Sequence, residues 1–335
     1  MDTNAGDRAL RQRRNWDEDD VRVRPTRRSR PRTKIRPKHA EAVPGFVIAV
    51  DRGRYTCRVD DTDVTAMRAR ELGRKGVVVG DRVALDGDTS GDDGTLARIV
   101  RIEPRHGQLR RTADDDDDKI ERIIVANVDQ LVIVCALADP PVRTGFIDRC
   151  LVAAFDADIQ PLLCLTKADI GADALPEIDR YYADLDVPYV TCRPDEPIDD
   201  LAERLDGKLS VLIGHSGVGK STLVNRLVPD ADRSVGDVSA IGRGRHTSTN
   251  AVALELPDGS WIVDTPGVRS FGLAHVSSDS LLHAFGDLAD VATGCEPGCD
   301  HTGQSGVCAL DSLRDADGEA PQRLQSYRRL LAAIS

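Results

Sequence analysis

Residues 209–221 read LSVLIGHSGVGKS, an apolar stretch followed by a glycine-rich loop that ends in Lys-Ser. The pattern GxxxxGKS is typical of a phosphate-binding loop when it lies between a strand and a helix. The apolar residues before the loop and the helical pattern from Ser221 to Leu227 after it provide that context. The stretch therefore predicts a doubly wound α/β domain whose parallel sheet positions a nucleotide.

Each residue type in this loop, here called the P-loop, suits a nucleotide phosphate. The glycines permit a tight turn whose backbone N–H groups surround the phosphates. The Lys220 ammonium neutralises the β and γ phosphates, and the Ser221 hydroxyl ligates Mg²⁺. The predicted nucleotide-binding residues of this segment are Gly214, His215, Ser216, Gly217, Val218, Gly219, Lys220, Ser221 and Thr222.

A second motif, Asp264-Thr265-Pro266-Gly267, follows the apolar stretch 261–263. The Asp264 carboxylate can hold Mg²⁺ through water while the Gly267 N–H meets the γ phosphate. The stretches 251–256 and 261–263 flank the turn Asp258-Gly259 and predict one hairpin in an otherwise parallel sheet.

The segment 236–250, rich in Gly, Ser and Thr, predicts a switch loop that orders on a γ phosphate. Its candidate magnesium or phosphate ligands are Thr247, Ser248 and Thr249. Val268 stands where many small GTPases place the glutamine that orients the attacking water. His246 in the switch loop is the candidate for that task, and the alternative is an exposed histidine with no catalytic role.

A third motif, Thr166-Lys167-Ala168-Asp169, follows an apolar strand at 161–165 and predicts a guanine-recognition loop. The Asp169 carboxylate can accept hydrogen bonds from N1–H and the exocyclic amine of guanine, whereas adenine presents an acceptor at N1. Lys167 would lie along the base plane, and Thr166, in place of the more usual asparagine, predicts a looser loop. Because this motif precedes the P-loop, the order indicates a circularly permuted GTPase core.

The C-terminal part contains the pattern Cys295-x3-Cys299-x-His301-x6-Cys308. Three thiolates and one imidazole form a closed tetrahedral set, which is typical of structural zinc. Free thiols without a metal are the alternative. Apolar periodicity predicts helices over 278–288 and 321–334 on either side of this cluster. The remaining cysteines occur singly in apolar stretches and are predicted to be small buried hydrophobes: Cys57, Cys135, Cys150, Cys164 and Cys192.

Short alternating segments between residues 45 and 103 predict a small five-stranded oligonucleotide-binding (OB) barrel. Such barrels commonly bind RNA or DNA, and the alternative is a barrel that only packs against its neighbour. Its candidate basic surface is Arg52, Arg54, Arg68, Arg70, Arg74 and Lys75.

Charge is distributed unevenly along the 335 residues, whose formal net charge is -11. Residues 1–44 hold 13 Lys and Arg but 7 Asp and Glu, which predicts a disordered basic arm able to engage phosphate backbones, or else a solvated tail. The five aspartates of 114–118 indicate a solvated linker. The predicted divisions are a basic arm at 1–43, an OB-fold barrel at 44–108, an acidic linker at 109–119, a circularly permuted GTPase domain at 120–276 and a zinc-binding helical domain at 277–335.

The composition, 40% hydrophobic and 30% charged residues, is typical of a globular protein in solution. No apolar run approaches the roughly 18 residues of a membrane span. The sequence therefore predicts a cytoplasmic protein without a membrane partner, and a monomer because no oligomerisation pattern stands out.

From about residue 44 to 335 the chain resembles the circularly permuted GTPases of bacterial small-ribosomal-subunit biogenesis, the small ribosomal subunit-dependent GTPase A family. The resemblance rests on the three nucleotide motifs, the segment 242–249 and the Cys/His cluster. It implies a GTPase that binds GTP and GDP with Mg²⁺, carries one structural Zn²⁺, binds rRNA of the immature 30S subunit and is stimulated by that subunit in late maturation.

The resemblance also assigns residues. It implies zinc ligation by the four Cys and His residues and water positioning by His246. Three residues separate the first two zinc ligands here and four do so in the family, which alters the loop geometry without removing a ligand. Two other classes fit parts of the sequence: an RNA-binding module with incidental turnover, and a P-loop ATPase that handles metals, which Asp169 opposes.

Overall fold

The computed structural model describes residues 39–73, 76–112, 121–228, 251–265, 276–303, 308–314 and 321–333. Several predicted features lie outside these residues: the basic arm up to residue 38, the aspartates of 114–118, Arg74 and Lys75, and the switch loop 236–250. His246, Thr247, Ser248, Thr249 and Gly267 are among the residues outside the described part.

The first five strands form a closed barrel. They are β1 (Val43–Asp51), β2 (Arg54–Val59), β3 (Thr62–Arg68), β4 (Arg82–Gly87) and β5 (Ala97–Ile102). Strand β1 pairs with both β2 and β4, β2 pairs with β3, and β5 joins β3 to β4. Only the β3–β5 pairing is parallel among these five. The predicted five-stranded barrel is confirmed.

Along the barrel strands, residues that face the interior alternate with residues that face outward, and the inward-facing side chains are small or branched. Cys57, Val64, Ala66, Leu85 and Ile99 are completely buried there. The β1–β2 turn places Arg52 and Gly53 at φ 43° and 84°, because a tight hairpin needs two left-handed residues to match the strand twist.

A two-stranded antiparallel ribbon follows the barrel, made of β6 (Leu109–Thr112) and β7 (Glu121–Val125). The predicted acidic linker thus begins with a strand. Val79 forms a parallel bridge with Val125, which ties the ribbon to the segment before β4.

The nucleotide domain is built on six strands in the order β10-β9-β8-β11-β13-β12. They are β8 (Gln130–Ala136), β9 (Gln160–Thr166), β10 (Tyr189–Thr191), β11 (Leu209–Ile213), β12 (Val252–Glu255) and β13 (Trp261–Asp264). Adjacent strands are parallel except β12 and β13, so the predicted hairpin in a parallel sheet is confirmed. The associated helices are α1 (Thr144–Asp156), α2 (Ala168–Gly171), α3 (Leu175–Tyr182), α4 (Asp199–Leu205) and α5 (Lys220–Leu227).

Both faces of this sheet are covered, as a doubly wound fold requires. Alternate residues of β8 supply the two cores: Leu131, Ile133 and Cys135 face α1 and the C-terminal helices, and Val132 and Val134 face α4 and α5. All seven residues of β8 are buried. Because β8 is central and covered on both faces, nearly all of its residues are apolar, and this apolar run is what predicts the strand.

The C-terminal part contains α6 (Ser278–Leu282), α7 (Gly286–Ala292), a 3₁₀ helix (Ala309–Leu313) and α8 (Gln322–Ala332). The prediction of one helix over 278–288 is wrong, because Phe285 has non-helical backbone angles and separates α6 from α7. Its ring packs against Phe155 of α1 and Tyr327 of α8, with centroids 6.0 and 5.4 Å apart. The apolar face was correctly predicted, since Leu281, Leu282, Phe285 and Leu288 are all buried.

The barrel and the nucleotide domain share one sheet of eleven strands. The joint is an antiparallel pairing of Ala49 in β1 with Val252 in β12. Beside it, Phe46 packs on Trp261 with ring centroids 5.0 Å apart, and the Arg58 guanidinium lies 5.4 Å from the Trp261 ring. Arg58 also forms an ion pair with Glu255.

Candidate functional site

The three nucleotide motifs meet at one edge of the sheet. The three motifs follow β9, β11 and β13. Strands β9, β8, β11 and β13 are neighbours in that order and all run parallel, so the carboxyl ends of the three motif-bearing strands point the same way. Ligands of doubly wound sheets bind at this edge. The P-loop follows β11, and helix α5 begins at Lys220.

The P-loop has a backbone path that needs glycine at particular positions. Gly217 and Gly219 have φ of 83° and 92°, a region that other residues rarely adopt. A Cβ on Gly214 would lie 2.5 Å from the Val134 carbonyl oxygen. Glycine at these positions therefore permits the tight turn and the close packing on β8 that a phosphate-binding loop needs, and the loop residues fit a bound phosphate.

Lys220 and Asp264 are 44 positions apart in the sequence and form an ion pair, with Nζ 3.1 Å from Oδ1. The parallel register places Asp264 opposite Leu212, one residue before the end of β11. Thr265 is buried, and its hydroxyl donates to the Leu212 carbonyl at 3.2 Å. Ser221 and Thr222 are exposed at the start of α5. A cation, a carboxylate and a hydroxyl thus lie where phosphates and Mg²⁺ would bind.

The guanine-recognition motif is tied to the P-loop by Thr166. Its buried hydroxyl donates to the Val218 carbonyl, with the oxygens 2.5 Å apart, and lies 3.3 Å from the Cys135 carbonyl. The sequence predicted that threonine would loosen this loop, whereas the hydroxyl supplies a direct connection between the two motifs.

The neighbours of Thr166 in this loop are also fixed. Lys167 has a left-handed backbone, and its ammonium donates to the Asp139 carbonyl. The Ala168 N–H donates to the Cys192 carbonyl at 3.3 Å. Asp169 is exposed on α2, so its carboxylate is open to a ligand. The sequence does not predict the contact with Asp139, because the acceptor is a backbone carbonyl, which every residue has.

His215 of the P-loop packs on Phe146 of α1, with ring centroids 4.2 Å apart. Burial and the positive charge of Arg143 lower the pKa of His215. Beside it lies a cavity of about 310 Å³, lined partly by Pro140, Arg143 and Ser216. Both effects favour the neutral form of the imidazole beside the P-loop.

The predicted Cys/His cluster is brought together in the C-terminal part. The ligand atoms of Cys295, Cys299, His301 and Cys308 all lie within 4.8 Å of one another. The Cys295 sulfur is 3.6 Å from His301 Nδ1 and 4.0 Å from the Cys308 sulfur. Ligands of tetrahedral zinc are about 3.5–3.8 Å apart. The donor set and its spacing fit one zinc ion.

Contacts outside the cluster hold His301 in the orientation that zinc ligation needs. Its Nε2 lies 3.4 Å from an Asp279 carboxylate oxygen, which leaves Nδ1 to face the thiols. Its carbonyl accepts from Arg328 Nε at 3.1 Å. The Ala309 N–H donates to the Cys295 sulfur at 3.3 Å.

Basic residues of the described part divide into exposed and internally paired groups. Arg52, Arg54 and Arg70 are exposed on the barrel. Three arginines of α8 form ion pairs within the chain: Arg323 with Asp287, Arg328 with Asp311 and Arg329 with Asp148. In the described segments, no helix has the length and apolarity needed to cross a membrane.

Comparison with known proteins identifies relatives over most of the chain. A family model described as RsgA GTPase matches residues 102–274. A Pseudomonas aeruginosa protein named small ribosomal subunit biogenesis GTPase RsgA is 38% identical over 266 residues, which cover 77% of this chain and 76% of that protein. A Porphyromonas gingivalis protein of the same name is 35% identical over 305 residues, covering 86% of this chain and 96% of that protein.

Two solved structures share the fold. YjeQ from Thermotoga maritima superposes with a TM-score of 0.65 at 24% identity, covering 87% of this chain and 98% of that one. YloQ, described as a circularly permuted GTPase, gives a TM-score of 0.62 at 22% identity, covering 89% and 96%. The predicted fold class, a circularly permuted GTPase domain with an N-terminal barrel, is therefore confirmed, together with a C-terminal Cys/His cluster that fits zinc.

Proposed function

This chain belongs to the RsgA GTPase family and is a GTP-hydrolysing enzyme, and from that premise we propose that it acts in biogenesis of the small ribosomal subunit and is stimulated by the 30S subunit. The observation that carries the proposal is the meeting of Thr166, Lys220 and Asp264 at one sheet edge. The names of the relatives from Pseudomonas aeruginosa and Porphyromonas gingivalis support the ribosomal role.

The proposed nucleotide site uses guanine nucleotide with Mg²⁺, as family membership implies. Asp169 reads the guanine edge, and the P-loop N–H groups and Lys220 bind the phosphates. Ser221 and Asp264 would hold Mg²⁺, which supplies charge neutralisation at the phosphates when bound. Asp264 also keeps the Lys220 ammonium at the mouth of the P-loop.

The proposed water-positioning residue is His246, since Val268 offers no hydrogen-bonding group at the position after the Asp264 motif. Thr247, Ser248 and Thr249 are the proposed switch-loop ligands of phosphate or magnesium, and the Gly267 N–H is proposed to meet the γ phosphate. Slow turnover without the 30S subunit follows, because the attacking water has no glutamine to orient it.

The proposed zinc site uses Cys295, Cys299, His301 and Cys308. All four positions are protein ligands, so the ion would stabilise the C-terminal fold and leave no open position for a substrate. The exposed barrel arginines and the basic N-terminal segment are proposed to bind rRNA phosphates.

Hydrolysis of GTP and ATP, measured with and without 30S subunits, tests the proposal. Lys220→Ala serves as the blank, because it removes the phosphate-binding ammonium. We expect GTP-selective hydrolysis that 30S subunits stimulate strongly and that His246→Ala abolishes without loss of GTP binding. Tight GTP-dependent RNA binding without stimulation would instead support an RNA-binding module, and equal use of ATP would contradict guanine recognition by Asp169.

A further inference from the structure

Two of the cysteines that occur singly in the sequence are neighbours in space. The sulfurs of Cys164 and Cys192 are 3.6 Å apart, although 28 positions separate the residues. Both side chains are buried, with 0% and 5% of their surface exposed. This distance is within hydrogen-bonding range and brings two thiols close enough to react with each other.

The pair lies directly under the guanine-recognition motif. Cys164 is in β9, two residues before Thr166, and Cys192 follows the parallel neighbour β10. The Cys192 N–H donates to the Leu165 carbonyl at 2.8 Å, and its carbonyl accepts from the Ala168 N–H. The Cys192 backbone is thus hydrogen-bonded to the residue before Thr166 and to the residue after Lys167, on either side of the start of the guanine-recognition loop.

The surroundings give the two thiols different reactivity. The hydrogen bond with Cys164 and the nearby Arg226 guanidinium lower the pKa of Cys192, against burial and the Asp200 carboxylate, which raise it. The same hydrogen bond and burial raise the pKa of Cys164. Arg226 belongs to α5, the helix of the P-loop, and donates to the Arg193 carbonyl at 2.9 Å. Cys192 is therefore the nucleophile of the pair.

We propose that Cys164 and Cys192 form a reversible redox switch, in which a peroxide oxidises the two thiols to a disulfide and thereby weakens GTP binding. The Cys192 thiolate attacks a peroxide oxygen, which gives a sulfenic acid and releases the other oxygen as water after protonation. The Cys164 sulfur then attacks the Cys192 sulfur and displaces a second water. Two thiols and one hydrogen peroxide become one disulfide and two waters.

Bond formation must shorten the distance between the sulfurs from 3.6 Å to about 2.05 Å. The atoms that move are attached to the strand ends that position Ala168 and Asp169, so the geometry toward guanine changes. The effect on GTP rests on the proposed guanine site, whereas formation of the disulfide does not. The two can therefore fail separately in an experiment.

The test exposes the full-length, zinc-loaded protein to graded hydrogen peroxide and then blocks free thiols with an alkylating agent. Mass spectrometry follows the cross-link between tryptic peptides 150–167 and 181–204, with fragmentation to separate Cys164 from Cys150. A fluorescent GTP analogue gives the Kd before oxidation, after it and after treatment with a dithiol reductant. We expect the cross-link together with at least tenfold weaker binding that reduction restores.

Cys164→Ala and Cys192→Ser should keep GTP affinity under the same peroxide treatment, and Cys57→Ala should lose it as the unaltered protein does. Cys57 is a matched control, because it is buried inside the barrel, where burial raises the pKa of its thiol to about 12. The switch is disproved if no Cys164–Cys192 cross-link forms, or if the cross-link forms without weaker GTP binding. It is also disproved if Cys164→Ala loses GTP affinity as much as the unaltered protein does. That last result would point to oxidation of the zinc-ligand thiols. Absence of GTP binding in the reduced protein would contradict the proposed function instead.

Discussion

Thr166 joins two nucleotide motifs through one buried hydroxyl. Thr166→Val keeps the shape of the side chain but leaves the Val218 carbonyl without this donor. An unsatisfied buried carbonyl costs about 1–3 kcal/mol, and we expect GTP affinity to fall by about tenfold or more because the P-loop loses its contact with the guanine loop. A fluorescent GTP analogue measures the Kd.

Thr166→Ser, which keeps the hydroxyl, and Thr166→Asn, which restores the usual residue, are the controls for this prediction. Both should bind GTP within a few-fold of the unaltered protein. Equal weakening by valine and serine would show that the methyl group matters and the hydrogen bond does not.

Gly214 has no room for a side chain. In Gly214→Ala the new Cβ would lie 2.5 Å from the Val134 carbonyl oxygen, and a rigid β8 cannot yield, so the P-loop must shift. We expect GTP affinity to fall by more than tenfold, measured as above. Gly145→Ala is the matched control, since a Cβ there meets nothing within 4 Å. An unimpaired Gly214→Ala protein would show that the loop has another path.

We expect the proposed zinc ion at the Cys/His cluster to stabilise the short helices of the C-terminal part. Helix α6 spans only Ser278–Leu282, too short to be stable alone, and its Asp279 contacts His301. Removal of zinc by a chelator should therefore loosen α6 and α8. If the ion contributes about 3 kcal/mol, Tm falls by about 6–12 °C.

Thermal unfolding and zinc content, measured before and after chelation, check this prediction. Cys295→Ser should show the lower Tm without a chelator, and added zinc should restore Tm only in the chelated unaltered protein. An unchanged Tm in zinc-free protein would mean that the cluster is not structural.

At the scale of elements, the sequence predicted helices, strands and turns well where residues adjacent in the chain determine them. The buried run of β8 and the Asp258-Gly259 turn needed no distant information, because burial on both faces and a tight turn leave direct marks in the sequence. The break at Phe285 was missed, since it depends on rings contributed by Phe155 and Tyr327. Likewise, the Cys164–Cys192 contact depends on the pairing of β9 with β10, which periodicity alone does not give.

At the scale of the whole molecule, Arg58 links the barrel to the nucleotide domain through Trp261 and Glu255. Arg58→Ala removes the stacked cation and the shared partner of two ion pairs, with Glu255 across the joint and with Asp63 inside the barrel, and leaves the P-loop intact. We expect basal GTP hydrolysis to stay the same while stimulation by 30S subunits falls several-fold, because only the Ala49–Val252 pairing and the Phe46–Trp261 contact then hold the barrel against β12 and β13.

Hydrogen exchange of the β1 and β12 amides, measured beside GTP hydrolysis, tests this coupling. Arg101→Ala is the control, since Arg101 pairs with Glu103 on the exposed side of the barrel. Full stimulation of the Arg58→Ala protein, with faster exchange at β1, would show that the joint does not serve activation.

The order of motifs predicted the permuted core, because each motif fixes a strand end and the fold allows few arrangements of parallel strands. The joint between barrel and core was not predicted. It depends on Ala49 opposite Val252 and on Arg58 near Glu255, pairs that lie roughly 200 positions apart and carry no local signature.

That joint has a consequence for synthesis of the chain. The last barrel strand ends at Ile102, whereas Val252, the partner of Ala49, is translated much later. At about 5–20 residues per second, roughly 10–40 s separate the appearance of Ala49 from that of Val252. The closed barrel leaves one side of the end of β1 unpaired during this interval, because β4 pairs only with residues 43–46 of β1, and the single later pairing at Ala49 shows that this edge is short. Translation speed therefore sets how long this edge remains open to mispairing.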